Sequence, residues 1–169
     1  MEQPRTRSFL LVLAAVVLVG CLKAPDEGSK QAPAFDLPQV SGGHLALAAL
    51  HDKVVVVDFW ATWCGPCVAE IPEYAEFHRR NRGRGVEVVG IVCESGDPQE
   101  IQDFVREFQI PYPQLLGNEA VEEAYNVTQG FPTTFIVDRK GKIRKTFLGA
   151  TPNKFEKMQQ AVDRYLSES

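Results

Sequence analysis

The stretch that most constrains this chain is Val54-Val55-Val56-Val57-Asp58-Phe59-Trp60 with Cys64-Gly65-Pro66-Cys67 just behind it. A run of β-branched and aromatic residues reads as a buried strand. After it, Val68, Ile71 and Ala75 fall at helical spacing. A C-x-x-C at that junction lies on the first turn of a helix. Its two thiols are close enough to form a disulfide and to exchange it with another. A structural zinc site would need a second cysteine pair or paired histidines. Cys21 and Cys93 are single and far apart, and all three histidines precede position 80. Neither a metal nor another cofactor is expected.

A chain of 169 residues suits one domain with appendages, and 44% apolar content supports a core. The net charge of -4 is mildly acidic, and no basic stripe marks a nucleic-acid partner. The N-terminus reads as a targeting segment. Arg5 and Arg7 precede the almost wholly apolar Phe9 to Val19, and Leu18-Val19-Gly20-Cys21 resembles a bacterial lipoprotein box. The apolar run is shorter than the ~20 residues of a spanning helix. Residues 1–20 are therefore expected to be a cleaved signal, with Cys21 carrying the lipid. An uncleaved anchor would equally place the domain on a membrane. Residues 21–33, rich in charged and small residues, read as a tether with almost nothing to bury. Residues 34–169 form the domain, expected to be a monomer.

Within the domain, Phe35 to Val40 and His44 to Leu47 flank Ser41-Gly42-Gly43, a hairpin pattern. Lys53 to Phe59 is the buried strand, and a helix follows from about Gly65 to Arg82, with Pro72 expected to kink it. Val86 to Cys93 is the next strand. Asp97-Pro98-Gln99-Glu100 has an N-cap, a proline at the first helical position and a glutamate three on. Ile101, Phe104, Val105 and Phe108 continue it as an amphipathic helix. A short strand near Pro113 to Leu116, a short helix near Glu119 to Tyr125 and a hairpin of Thr133 to Val137 with Lys142 to Leu148 follow. A final helix opens at Thr151-Pro152, with Phe155, Met158, Val162 and Tyr165 inward. The order β-β-β-α-β-α-β-α-β-β-α is an α/β chain, a mixed sheet flanked by helices.

Asp58 to Cys67 resembles the thioredoxin active-site segment. Ala34-Phe35-Asp36-Leu37-Pro38, Ala69-Glu70-Ile71-Pro72 and Gly130-Phe131-Pro132-Thr133-Thr134-Phe135 narrow the resemblance to the membrane-tethered TlpA/ResA-like thiol-disulfide oxidoreductases. It runs from about residue 33 to the C-terminus. It implies the thioredoxin fold with an N-terminal hairpin and a central insertion. It also implies a cis bond before Pro132, in a loop that faces the dithiol. The Phe131 backbone would pair there with an extended substrate, with Trp63 beside the sulfurs.

Cys64, at the helix N-terminus, is expected to be the attacking thiolate, because unpaired N–H groups and the macrodipole favour negative charge there. Cys67, one turn deeper, is expected to resolve the mixed disulfide. Two acids compete as proton carriers. Asp58 ends a valine strand, where a purposeless carboxylate would be unfavourable. The resemblance places such an acid behind the disulfide. Glu70, one turn past Cys67, matches the acid of the ResA-like branch, with an ordinary exposed helix glutamate as the alternative. Many ResA-like chains lack the strand acid, so which one moves the proton stays open. Cys93 reads as a small buried hydrophobe.

The expected activity is reduction of disulfides in exported proteins, with apocytochrome c haem-attachment cysteines as candidates and a membrane thiol-relay protein as electron donor. A thiol peroxidase would place Pro-x-x-x-Thr-x-x-Cys around its reactive thiol. Here Thr62 lies two residues before Cys64 and the proline is missing. A copper chaperone on this fold would need C-x-x-x-C and a late histidine, and none follows His78.

Overall fold

The computed structural model describes residues 30–168. The readings placed on residues 1–29, including Cys21, lie outside the described residues. Six strands form one sheet in the order β1-β8-β7-β4-β5-β6. They are β1 (Lys30–Gln31), β4 (Val54–Trp60), β5 (Val86–Val92), β6 (Gln114–Leu116), β7 (Thr133–Val137) and β8 (Lys142–Leu148). β4 runs parallel to β5 and antiparallel to β7, and β5 runs parallel to β6. A separate hairpin pairs β2 (Asp36–Pro38) with β3 (His44–Ala46). The helices are α1 (Gly65–Asn81), α2 (Pro98–Glu107), α3 (Glu119–Tyr125) and α4 (Lys154–Ser167). The thioredoxin-type α/β architecture expected from the sequence is present.

β4 lies between two partners and is buried along its whole length, which is why its sequence is an apolar run without alternation. Alternate residues still serve opposite faces. Val54, Val56 and Trp60 pack with Ile71, Tyr74, Met158 and Val162 beneath α1 and α4. Val55, Val57 and Phe59 pack with Phe35, Tyr125 and Phe135 on the other face. Asp58 has the parity of the first set, so its carboxylate is directed beneath α1 and α4.

Two boundaries differ from the sequence reading. Lys30 and Gln31 pair with Ile143 and Lys142 of β8, and Ala32 is buried. The last four residues assigned to the tether, 30–33, thus belong to the folded domain. Main-chain pairing at a sheet edge requires no apolar side chains, so composition did not reveal it. The final helix begins at Lys154, after an Asn153 cap in the left-handed region, rather than at Thr151. α1 runs through Pro72 as one element.

Candidate active site

The C-terminal end of β4 delivers the chain to the site. Cys64 caps α1, Pro66 lies in its first turn, and the Cys64 sulfur accepts from the Cys67 N–H at 3.3 Å. A helix N-terminus has donors without intrahelical partners, and this sulfur meets one of them. Cys64 and Cys67 form a disulfide with Cα atoms 5.3 Å apart. The loop before it is braced from the end of β5. Thr62 N–H donates to Ser95 Oγ at 2.9 Å, and Ser95 Oγ donates to the Cys93 carbonyl at 2.6 Å.

Trp63 stands 63% exposed beside the disulfide, its indole N–H donating to the Glu94 carbonyl at 2.7 Å. Its ring meets Phe131 edge-on, with centroids 6.0 Å apart. The Phe131–Pro132 peptide is cis. Gly149 N–H donates to the Pro132 carbonyl, and Thr133 Oγ1 to the Gly130 carbonyl, both at 2.8 Å. An apolar collar of Trp63 and Phe131 thus stands at the dithiol end of the sheet. The two cysteines differ less than the sequence suggested. In this disulfide form Cys64 is 6% exposed and Cys67 3%. Both belong to the core cluster against which Phe131 packs.

The acids lie deeper. Asp58 is 3% exposed and pairs across the sheet with Thr134. Tyr74 Oη and Thr134 Oγ1 each approach its Oδ1 at 2.8 Å, and the two hydroxyls lie 2.7 Å apart. Burial raises the Asp58 carboxyl to about 6, against the pull of Lys154 and the two hydroxyls. Glu70 is buried rather than an exposed helix glutamate. Its carboxylate accepts from Lys154 Nζ at 2.7 Å. Burial raises its pKa too, and Lys154 opposes the rise.

Lys154 was missed. It is 2% exposed, its ammonium 5.2 Å from the Tyr74 ring centre. The signal was there: 154 lies four residues before Met158 and eight before Val162, on the inward stripe of the last helix. A lysine on such a stripe calls for an acid. Cys93 is fully buried, and burial pushes its thiol well above the ordinary range, as befits an inert core cysteine.

Residues 29–146 match the model of the AhpC/TSA family. The chain belongs to the AhpC/TSA family. Among its curated relatives is the thiol-disulfide oxidoreductase ResA of Bacillus subtilis, 35% identical over 73% of this chain and 68% of that protein. The thioredoxin-like protein YneN of the same organism is 30% identical over 79% of this chain and 78% of that protein. A thiol:disulfide interchange protein of the thioredoxin family from Chlorobium tepidum superposes with a TM-score of 0.73. It is 26% identical and covers 82% of this chain and 97% of that structure. This AhpC/TSA member is a thiol-disulfide oxidoreductase of the thioredoxin superfamily, acting on disulfide-bearing substrates.

Proposed function

We propose that this oxidoreductase works outside the cytoplasm, held at a membrane through lipidated Cys21, and reduces disulfides of exported proteins. The observation that carries the reading is the Cys64–Cys67 disulfide at the α1 N-terminus beside the exposed Trp63 and the half-buried Phe131. That mouth suits an extended polypeptide better than a small polar oxidant. The cis-Pro132 loop would pair with the substrate backbone. The apolar Phe9 to Val19 and the box ending at Cys21 support the location.

The cycle is two displacements. The Cys64 thiolate attacks one sulfur of the substrate disulfide, forming a mixed disulfide and expelling the other substrate sulfur as a thiolate, which takes a proton. Cys67 then loses its proton and attacks Cys64, and the second substrate thiol leaves. The substrate gains two electrons and two protons, and the enzyme keeps the disulfide. A membrane thiol-relay protein would restore the dithiol. Oxidised haem-attachment cysteines of apocytochromes c are the candidate substrate. A peroxidase reading lacks the Pro-x-x-x-Thr-x-x-Cys motif around Cys64.

Cys67→Ser removes the resolving thiol and should accumulate mixed disulfides on Cys64 in cells. The expected catch, by mass spectrometry of the adducts, is exported proteins with cysteine pairs, together with a membrane thiol protein. Adducts confined to cytoplasmic proteins would contradict the reading, and so would intact protein retaining residues 1–20 with an unmodified Cys21.

A further inference from the structure

Two buried acids and one buried lysine lie behind the dithiol, and the sequence leaves the acids as rivals. Their arrangement joins them. We propose that Lys154 makes Asp58 and Glu70 one proton-holding unit, with Asp58 as its inner site and Glu70 as its point of exchange with solvent. Lys154 is thereby a positioning residue for the resolving step. The proposal rests on the reading that Cys67 must give up a proton in that step.

The geometry is as follows. Asp58 is held on β4 by Tyr74 Oη of α1 and Thr134 Oγ1 of β7, both at 2.8 Å. The Tyr74 ring lies beneath the Lys154 ammonium, 5.2 Å from its centre. The same ammonium donates to Glu70 at 2.7 Å. Lys154 therefore touches both the carboxylate of Glu70 and the ring whose hydroxyl serves Asp58. Beyond Glu70 a surface cleft opens, lined by Glu70, Glu73, Lys154 and Glu156. Asp58, Tyr74 and Thr134 are almost wholly covered.

Charge count gives the arrangement its function. One ammonium cannot balance two buried carboxylates, so the cluster binds a proton more tightly than two separate solvated acids would. Both acids hold protons more tightly than ordinary carboxylates, and burial is the chief cause for each. Lys154 pulls the other way on both, by its charge on Asp58 and by charge and hydrogen bond on Glu70. Other groups facing the cluster are Glu73, which raises the proton affinity of Glu70, Glu156, which lines the cleft with it, and the tyrosines Tyr74 and Tyr112, kept neutral by burial. Lys154 thus keeps an acid of the cluster ionised at neutral pH, ready to take the Cys67 proton. That proton then passes to the leaving substrate thiolate or out by Glu70. In the balance, Cys67 loses one proton and the departing thiolate gains one, so the cluster ends as it began.

The test follows single turnover of the reduced full chain in detergent with a model peptide disulfide, reading Cys64–Cys67 closure against pH. Lys154→Met should leave mixed-disulfide formation at Cys64 near the parental rate. Closure should slow about tenfold or more near pH 6.5, with the profile displaced upward by at least one pH unit, and rejoin the parent in alkali. That size follows from the 1–3 units by which a neighbouring cation lowers a carboxylate. Lys154→Arg should restore most of the rate. Removing one partner of a buried pair endangers the fold, so a second comparison decides independently. Glu70→Gln and Glu70→Gln/Lys154→Met leave no unpaired carboxylate at position 70. The double variant should show the higher closure midpoint of the two, because Asp58 alone then loses Lys154. Equal midpoints in that pair, or a folded Lys154→Met with the parental profile, would overturn the proposal. Absence of any mixed disulfide when Cys67→Ser meets the same peptide would instead remove the resolving-step reading beneath it.

Discussion

Asp58 shows at the scale of one residue how the fold holds an acid against its solution chemistry. Its carboxyl is raised from 3.8 to about 6, with burial outweighing Lys154, Tyr74 and Thr134. The folded chain therefore binds this proton more tightly than the unfolded chain. Stability from the group is present below the unfolded value and is lost as pH rises from about 4 to about 6. Asp58→Asn keeps an oxygen for the two hydroxyls and removes the charge. The disulfide form of the variant should be more stable than the parent at pH 7 by about 2–3 kcal/mol, a two-unit shift at ~1.4 kcal/mol per unit. The gain should vanish by pH 4, and urea unfolding of both proteins at the two pH values checks it. An equal gain at both values would assign it to packing instead. The sequence made Asp58 legible because a carboxylate in a valine strand has no cheap explanation. Tyr74, Thr134 and Lys154 were not legible as its neighbours, because side chains 16, 76 and 96 residues away meet it only through the sheet register and helix docking.

Helix α2 is the clearest case of an element written locally. Asp97 Oδ1 accepts from the N–H groups of Gln99 at 2.8 Å and Glu100 at 3.0 Å, while the Glu100 carboxylate accepts from the Asp97 N–H at 3.1 Å. That reciprocal cap was readable from Asp-Pro-Gln-Glu. Beyond the cap, Ile101 is its buried residue, Phe104 and Val105 pack on the core with Phe104 and Trp60 ring centres 5.7 Å apart, and Gln102 donates to the Val40 carbonyl. Asp97→Ala should cost about 1 kcal/mol, measured as a lower urea midpoint with unchanged slope, with hydrogen exchange rising first over residues 98–107. A midpoint equal to the parent's would mean that tertiary packing alone holds α2. Elements carried by period or cap chemistry, such as β4, α1 and α2, emerged at nearly their observed bounds. β1 did not, since two exposed residues at a sheet edge carry no pattern. Nor did the start of α4, because Asn153 enters the left-handed region through tertiary context.

Across the whole molecule, the sheet turns a sequence-local motif into a working site. β4 carries Asp58 on the face beneath α1 and α4 and ends where Cys64 begins α1. β7, antiparallel beside it, starts at the cis-Pro132 loop next to Trp63. The dithiol therefore lies at one end of the sheet, with Asp58, Glu70 and Lys154 buried within the molecule and the apolar collar of Trp63 and Phe131 beside it. We propose that Cys64 and Cys67 form a reducing pair. Gly65-Pro66 and Trp63 are those of thioredoxin, and no histidine between the cysteines adds stabilisation to the outer thiolate. The direct measurement is the midpoint potential. The protein is equilibrated in dithiothreitol or glutathione buffers, and the fraction of the Cys64–Cys67 disulfide is read by Trp60 and Trp63 fluorescence and confirmed by alkylation. A reducing pair should give a value near thioredoxin's, about -270 mV. A midpoint more oxidising than about -180 mV, the range of protein disulfide isomerase, would contradict it and make the pair an oxidant or isomerase.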